Sequence, residues 1–306
     1  MKRLALSIAL ASSSVLMLPS TSQAMVAAVA AQAAQAATDP AVQVLQMAEY
    51  FRRNDVQALV SAGLPPDKYQ LLLSEYEEQR QRPISEAERA EFQEGMDRLT
   101  ADGAVDRLME EITPKLEEGS AQAAGMTLMA IGALNMAVTS PESDLTDAQR
   151  ESLRMALPAI EHWLSVTDFF SADLARSALT ALADGVRATR IDSLDALRGL
   201  PLDQLLQRAG GVLAAAKEAA VVYGIDLDAI ASSLQVEVLE IDGDRARVRT
   251  TIEVFDAPIA AEHELVRIDG RWYGEQAKAT WEFGDDEADA DANLDVEVDV
   301  EVEVKG

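Results

Sequence analysis

The stretch 234–273 has a clear β-strand pattern, and it limits what the rest of this 306-residue chain can be. Apolar or β-branched side chains recur there at every second position, as in half-buried strands: Val236, Val238, Val248, Thr250, Ile252 and Val254. Asp242-Gly243 and Asp269-Gly270 predict hairpins. Residues before it show helical patterns. We therefore predict an α+β fold: a mostly helical body of about eight to ten helices, then a C-terminal antiparallel meander of about four strands.

The first hairpin can be aligned in two ways. A two-residue turn at Asp242-Gly243 would place Val238 opposite Arg247, which mixes apolar and charged side chains on one face. A longer turn, or an equivalent bulge, places Val238 opposite Val248. Since a one-residue slip moves every side chain to the other face, we predict the second alignment. We also expect Asp256-Ala257-Pro258 to separate the second strand from the third, because proline cannot donate to a ladder.

The helical part carries several start and stop signals. Ser85 with Glu88 and Thr146 with Gln149 predict capping boxes. Asn54 is predicted to cap a short helix that ends at Gly63, and Thr113-Pro114 to end one helix and start another. We assign residues 40–192 to the helical body and 193–283 to a module of helix plus sheet.

Residues 121–140 contain no charged side chain. Their length is compatible with a membrane span, but we favour a central helix packed on all sides. Three methionines in it, Met126, Met129 and Met136, could bind a soft metal. Core filling is the interpretation we prefer for them.

The N-terminus has the pattern of a bacterial secretory signal. Lys2 and Arg3 precede an apolar run, and Ser22-Gln23-Ala24 is a small-x-small cleavage site. We expect residues 1–24 to be removed, leaving an Ala-rich, flexible leader at 25–39 and no stable membrane span. The predicted location is the periplasm or the medium.

Charge and composition exclude several functions. The net charge of −27 argues against nucleic-acid binding, and the absence of cysteine excludes thiol chemistry. The C-terminal residues 284–306 are strongly acidic, and acids alternate with valines over 295–304. We predict that this tail is disordered at neutral pH.

Motifs for catalysis or metal binding are incomplete. The two histidines, His162 and His263, are far apart in sequence, and no glycine-rich phosphate loop follows a strand. A calcium-loop pattern beginning at Asp289 fails at Leu294 and Val300, where glycine and glutamate are needed. We predict no cofactor, no metal and no enzymatic activity.

Two resemblances rest on short segments. Residues 266–273, VRIDGRWY, resemble the closing hairpin of nuclear-transport-factor-2-like (cystatin-like α+β) sheets. That resemblance implies helices lying on a curved antiparallel sheet, which often forms a ligand pocket. The signal, the helical body, the segment YGIDL at 223–227 and this hairpin together resemble a family of exported gammaproteobacterial proteins. Neither resemblance implies particular functional residues.

The sequence leaves three hypotheses for function. The first is a non-enzymatic envelope protein that binds an unknown protein partner or has a structural role. The second is a carrier of a small apolar ligand, with its pocket between the sheet and the helices of 193–232. The third, a hydrolase using carboxylates, is disfavoured. Candidate binding residues are Trp272, Tyr273 and Tyr223.

Overall fold

The computed structural model describes residues 39–140 and 146–275, which form ten helices and one sheet. The predicted signal and leader before Asp39 and the predicted acidic tail lie outside the described residues. The helices are α1 (Pro40–Arg52), α2 (Val56–Gly63), α3 (Pro66–Gln81), α4 (Glu86–Thr100), α5 (Ala104–Thr139), α6 (Asp147–Val166), α7 (Ala172–Ala188), α8 (Leu194–Gly199), α9 (Leu202–Val222) and α10 (Leu227–Ser232). The strands are β1 (Gln235–Asp242), β2 (Arg245–Val254), β3 (Ala257–Ile268) and β4 (Arg271–Gly274). The predicted α+β class is confirmed.

Short-range signals position most helix starts. Both predicted capping boxes form, with Glu88 N–H donating to Ser85 Oγ at 3.2 Å and Ser85 N–H donating to the Glu88 carboxylate at 2.6 Å. The prediction for Asn54 is wrong. Asp55 caps α2 by accepting from Ala58 N–H, while Asn54 takes a left-handed backbone conformation that turns the chain from α1 into α2.

Pro114 does not divide the chain, contrary to the prediction. It lies inside α5, which runs unbroken for 36 residues, or about 54 Å at 1.5 Å per residue. A proline inside a helix costs roughly 3 kcal/mol, because it removes one hydrogen bond and crowds the preceding turn. The first half of α5 packs against α4 and α7, and this packing outweighs that local cost.

The four strands form one antiparallel sheet in the order β1-β2-β3-β4. Val238 faces Val248 and Val236 faces Thr250, which confirms the predicted pairing. The two strands are joined by a two-residue turn at Gly243-Asp244, and a bulge at Leu239 brings the valines into this register. The bulge absorbs the extra residue and keeps the valines on one face.

The predicted break between the second and third strands is present and includes Asp256, but Ala257 and Pro258 belong to β3, where Pro258 lies opposite Glu253. The turn is formed instead by Phe255 and Asp256, both with positive φ. Because Val254 and Ala257 flank this two-residue turn, the next pair, Glu253 and Pro258, is the non-hydrogen-bonded kind. The proline nitrogen therefore points away from β2, where no donor is needed.

The sheet buries one face beneath α1. The hydrophobic core on this face consists of Ala246, Val248, Leu265 and Trp272, and Val44 of α1 packs against it. Trp272 is 2% exposed and packs with Leu265. On the β3 edge that β4 does not reach, Ser152 of α6 accepts a hydrogen bond from Ala260 N–H at 3.2 Å. Helices before residue 192 thus contact the sheet directly.

Candidate functional site

A small cleft lies along the outer edge of β4, between that strand and the helices α1 and α2. We call it the sheet–helix cleft. Its volume is about 240 Å³, and apolar side chains dominate its lining. The lining side chains that matter here are Val44, Met47, Ala62, Leu265, Trp272 and Tyr273. The cleft therefore brings together two of the three predicted binding residues.

Gln43 closes one side of this cleft by bonding to the strand edge. Its Oε1 accepts from Trp272 N–H at 2.8 Å, and its Nε2 donates to the Trp272 carbonyl oxygen. The side-chain amide thus takes the place of a neighbouring strand. An edge strand blocked in this way is protected from pairing with other chains.

Tyr273 supplies an unusual polar group. The residue is 3% exposed, and its hydroxyl is buried without a hydrogen-bond partner among the described residues. Burial raises the pKa of Tyr273; Arg271 opposes this effect, and Asp269 and Asp67 add to it. The phenol is therefore a neutral donor at physiological pH. Most buried polar groups are bonded, so this hydroxyl is an exception; its oxygen has almost no accessible surface and does not open into the cleft.

The third predicted residue, Tyr223, lies elsewhere. It stacks on Phe169 with ring centroids 6.2 Å apart, and Phe169 meets Trp163 edge-on at 5.0 Å. Trp163 also stacks on Phe255 and donates its indole N–H to the Tyr223 carbonyl at 2.8 Å. This aromatic cluster ties α6 and α9 to the β2–β3 turn, which is a structural role. The helical wall of the cleft is α1 and α2, whereas the sequence prediction placed a pocket against 193–232.

The second half of α5 differs most from the sequence prediction. The prediction of a helix packed on all sides is wrong, because one side of it faces solvent. The core-filling prediction for the methionines is wrong as well: Met129 and Met136 are 62% and 66% exposed, and Leu128 is 71% exposed. We call the exposed face of residues 121–139, which includes Met126, Leu128, Met129 and Met136, the α5 apolar surface. Within the described residues, Ala104–Thr139 is the one helix long and apolar enough to cross a membrane by length and composition.

Two contacts hold this half of α5 to the rest of the protein. Val138 is buried, and Asn135 donates its side-chain amide to Glu161 of α6 at 3.1 Å. Thr127, Leu128 and Ile131 form one wall of a shallow groove, and the end of α6 with Val166 forms the other. The apolar surface therefore continues from α5 onto α6.

The histidines do not form a site. His162 is exposed on α6, and His263 of β3 contacts the Thr250 hydroxyl at 2.9 Å on the sheet surface. Within 39–140 and 146–275, no group of three or more His, Cys, Asp or Glu side chains is placed to hold a metal ion.

Comparisons with models of known protein families, with curated proteins and with solved structures found no match.

Proposed function

We propose that this chain is an exported, non-enzymatic protein of the bacterial envelope that acts by binding another protein through the α5 apolar surface. We infer that the partner is a second copy of the same chain. Export rests on the signal-like pattern of residues 1–24. The observation that carries the proposal is the exposure of Leu128, Met129 and Met136 on one helix face. Soluble proteins rarely leave such a continuous apolar patch uncovered.

Charge supports a second copy as the partner. Each chain carries −27, so most pairs of surfaces on two copies repel each other. The segment 121–139 has no charged residue, and it is long enough to form a helix–helix contact of about 28 Å. Two copies can bring these faces together with less electrostatic cost than their acidic surfaces would carry.

The shape of the face also suits a helix partner. Met126, Met129 and Met136 project beside Gly125 and Gly132, so large and small residues alternate. A Cβ added at either glycine would meet nothing within 4 Å. A glycine inside a helix costs about 1 kcal/mol relative to alanine, and a close helix partner would offset that cost.

An open glycine on a helix does not by itself indicate that a second helix packs there. Gly95 of α4 and Gly211 of α9 are equally open. Gly95, however, is surrounded by acidic neighbours such as Glu91 and Glu94. The α5 apolar surface differs because its glycines are flanked by exposed methionines and Leu128. Self-complementary faces of this kind are what a two-fold dimer requires.

A lipid partner fits the same face less well. Asn135 is bonded to Glu161 and Val138 is buried, so the segment would have to leave α6 to cross a bilayer. The net charge also opposes binding to anionic membranes.

Sedimentation velocity of the mature chain tests the proposal. We expect a dimer that tightens with added salt, because screening reduces the repulsion between the two acidic bodies. Leu128→Lys and Met129→Lys should each shift the protein towards monomer. Val221→Lys, at a residue of α9 that is also about half exposed, is the matched control and should not.

Two results would contradict the proposal. One is a monomeric wild type at every concentration and salt level. The other is an equal effect of Val221→Lys, which would indicate nonspecific apolar association. A wild-type monomer that binds vesicles of zwitterionic lipid, and loses this binding in Leu128→Lys, would replace the protein partner with a membrane.

A further inference from the structure

We propose that the free edge of β1 binds a short, extended segment of another protein in which basic residues alternate with apolar ones. The segment adds to the sheet as a fifth strand beside β1. In the order β1-β2-β3-β4, β1 is the first strand, so its backbone pairs with a strand on one side only. Such an edge can bind an extended peptide through main-chain hydrogen bonds. This surface is distinct from the α5 apolar surface and does not depend on dimer formation.

The register shows which backbone groups of β2 are directed towards β1. Glu253 forms a non-hydrogen-bonded pair with Pro258, so its N–H points away from β3. On that side the hydroxyl of Ser233, just before β1, accepts from Glu253 N–H at 2.7 Å. Counting back along β2, every second residue is directed the same way: Thr251, Arg249, Arg247 and Arg245.

Three residues of β1 therefore have backbone N–H and carbonyl groups that point outward. The β1 residues opposite the three arginines bond to β2, and the residues that alternate with them do not. These are Val236, Val238 and, beyond the bulge, Ile241. Within 39–140 and 146–275, no other strand or loop backbone bonds to their outward groups.

The other edges of the sheet are closed by polar side chains. Gln43 bonds both backbone polar atoms of Trp272 on β4, and Ser152 accepts from Ala260 N–H on β3. In the part of the chain that the structure describes, no side chain does this for the outward groups of β1. The β1 edge is therefore the place on this sheet where a further strand can pair.

Charge determines the chemistry of the partner. On one face of the sheet, arginines of β2 lie between carboxylates of β1 and β3. Arg249 lies 3.1 Å from Glu237 and 2.8 Å from Glu262, and Arg247 lies 3.3 Å from Glu240. Each arginine of this row contacts two carboxylates, so the acids of β1 keep an excess of negative charge. Opposite charges on neighbouring strands stabilise a sheet, and Lys or Arg on the incoming strand continues the alternation.

The other face of the incoming strand should be apolar. Val236 and Val238 pack against the core, and Ile241 lies opposite the buried Ala246 but is 52% exposed. Apolar residues at alternate positions of the partner would cover Ile241. The bulge at Leu239 bends this edge, which favours a short, flexible segment over a long, flat strand.

Two occupants from the chain itself fit the charge less well. Residues 295–304 alternate valines with acids, which would place carboxylates beside Glu237 and Glu240. The β1 strand of a second copy would do the same. Like charges directly opposite each other destabilise a sheet, so the edge discriminates against both and in favour of a basic partner.

Three peptides of equal length test the inference. The first is KVKVKVKVKV, the second has the same composition in blocks, KKKKKVVVVV, and the third is the sequence of 295–304, DVEVDVEVEV. We expect the full mature chain to bind the first with a dissociation constant of about 10–100 µM at physiological salt, because ordering a flexible segment offsets part of the contact energy. It should bind the block peptide roughly tenfold more weakly, because that peptide cannot pair with the edge and match its charges together. Fluorescence anisotropy of end-labelled peptides gives the three affinities.

Hydrogen exchange locates the bound peptide. The amide protons of Val236, Val238 and Ile241 should exchange more slowly when KVKVKVKVKV is present. Those of Glu237 and Glu240 bond to β2 already and should change less. This readout separates strand pairing from general attraction between a basic peptide and an acidic protein.

Variants separate the edge from the net charge. Glu240→Lys should weaken binding of KVKVKVKVKV by roughly fivefold or more, because it places like charges on neighbouring strands. Glu94→Lys, at an exposed position of α4, changes the net charge equally and should stay within about twofold of the wild type. Ile241→Pro removes an outward N–H but no hydrogen bond to β2, so it should fold and bind more weakly. Leu128→Lys should bind like the wild type.

Four results would overturn the inference. The first is a wild type that binds the alternating and the block peptide equally. The second is slower exchange spread over the acidic surface without a focus on β1. The third is tighter binding of DVEVDVEVEV, which would make the tail of this chain the occupant. The fourth is protection of the β1 amides that rises with protein concentration alone, which would make a second copy the occupant.

Discussion

Gln43 of α1 pairs with both backbone polar atoms of Trp272, at the outer edge of β4. Gln43 is 7% exposed, so neither backbone group can exchange this partner for water without opening the structure. The single side chain therefore both seals the edge of the sheet and fixes α1 against it.

Replacing Gln43 should be costly. Gln43→Leu keeps a similar volume but leaves two backbone groups buried and unpaired, at roughly 1–3 kcal/mol each. We expect a loss of about 2–4 kcal/mol in urea unfolding. The control is Gln46→Leu on the exposed side of the same helix, which should change stability by less than about 0.5 kcal/mol. Equal losses for the two variants would show that the pairing with Trp272 contributes little.

A buried ammonium ion joins α9 to α1 and α10. Lys217 is 4% exposed; its Nζ lies 2.6 Å from the Asp228 carboxylate, donates to the Phe51 carbonyl and sits 4.0 Å from the Phe51 ring centre. Lys217→Ala should lose about 2–4 kcal/mol, mainly because a cavity forms and the Phe51 carbonyl loses its partner, since the half-exposed Asp228 carboxylate can bind water instead. Lys217→Met fills the space without the charge and should lose less. A methionine variant as unstable as the alanine variant would show that the charge, not the packing, dominates.

Two helix glycines should respond to alanine with opposite signs. A Cβ at Gly185 of α7 would lie 2.2 Å from the Ala215 Cβ of α9, so these helices meet at a point with no room for a methyl group. Gly185→Ala should therefore destabilise the protein by about 1–3 kcal/mol. Gly95→Ala, where nothing lies within 4 Å, should stabilise it by up to about 1 kcal/mol. Thermal unfolding of the two variants distinguishes packing from propensity.

Alkaline pH should weaken the fold. Burial raises the pKa of Tyr76, Tyr223 and Tyr273 above the ordinary value of 10.0. The folded state then holds these protons more tightly than the unfolded state does. Their contribution is complete below about pH 10 and is lost as pH rises through the folded-state pKa values. The free energy of unfolding should fall above about pH 10, with a shallower slope in Tyr273→Phe; a flat profile up to about pH 11 would refute this.

The predicted acidic tail should not stabilise the described fold. Residues 285–306 lie outside the described residues, and their like charges repel at neutral pH. Removing them should leave the melting temperature at pH 7 nearly unchanged. A large fall on truncation would mean that the valines of 295–304 pair with the sheet as a further strand.

Local signals predicted much of the fold. The capping boxes at Ser85 and Thr146 depend on residues three positions apart, so sequence alone suffices. The pairing of Val238 with Val248 follows from matching apolar faces across one short turn. Asn54 failed as a cap because its neighbour Asp55 can cap equally well, and Pro114 failed because distant packing overrode a local penalty.

The candidate sites were harder to predict. Trp272 and Tyr273 were predicted from the hairpin, but the helices opposite them were not. Gln43 is 229 residues from Trp272, and a glutamine on an amphipathic helix gives no signal that its amide will bond a strand. The exposure of Met129 also could not be read from composition, because a buried helix and an uncovered one share the same uncharged pattern.

The distance along the chain between Gln43 and Trp272 has a consequence for synthesis. Helix α1 is among the first described elements to be translated, and β4 is the last. The two can meet only when nearly all the described chain has been made, so the sheet stays open at that edge until then. If residues 1–24 direct the chain across a membrane, this edge of the sheet can be sealed only after nearly all of the described chain has emerged on the far side.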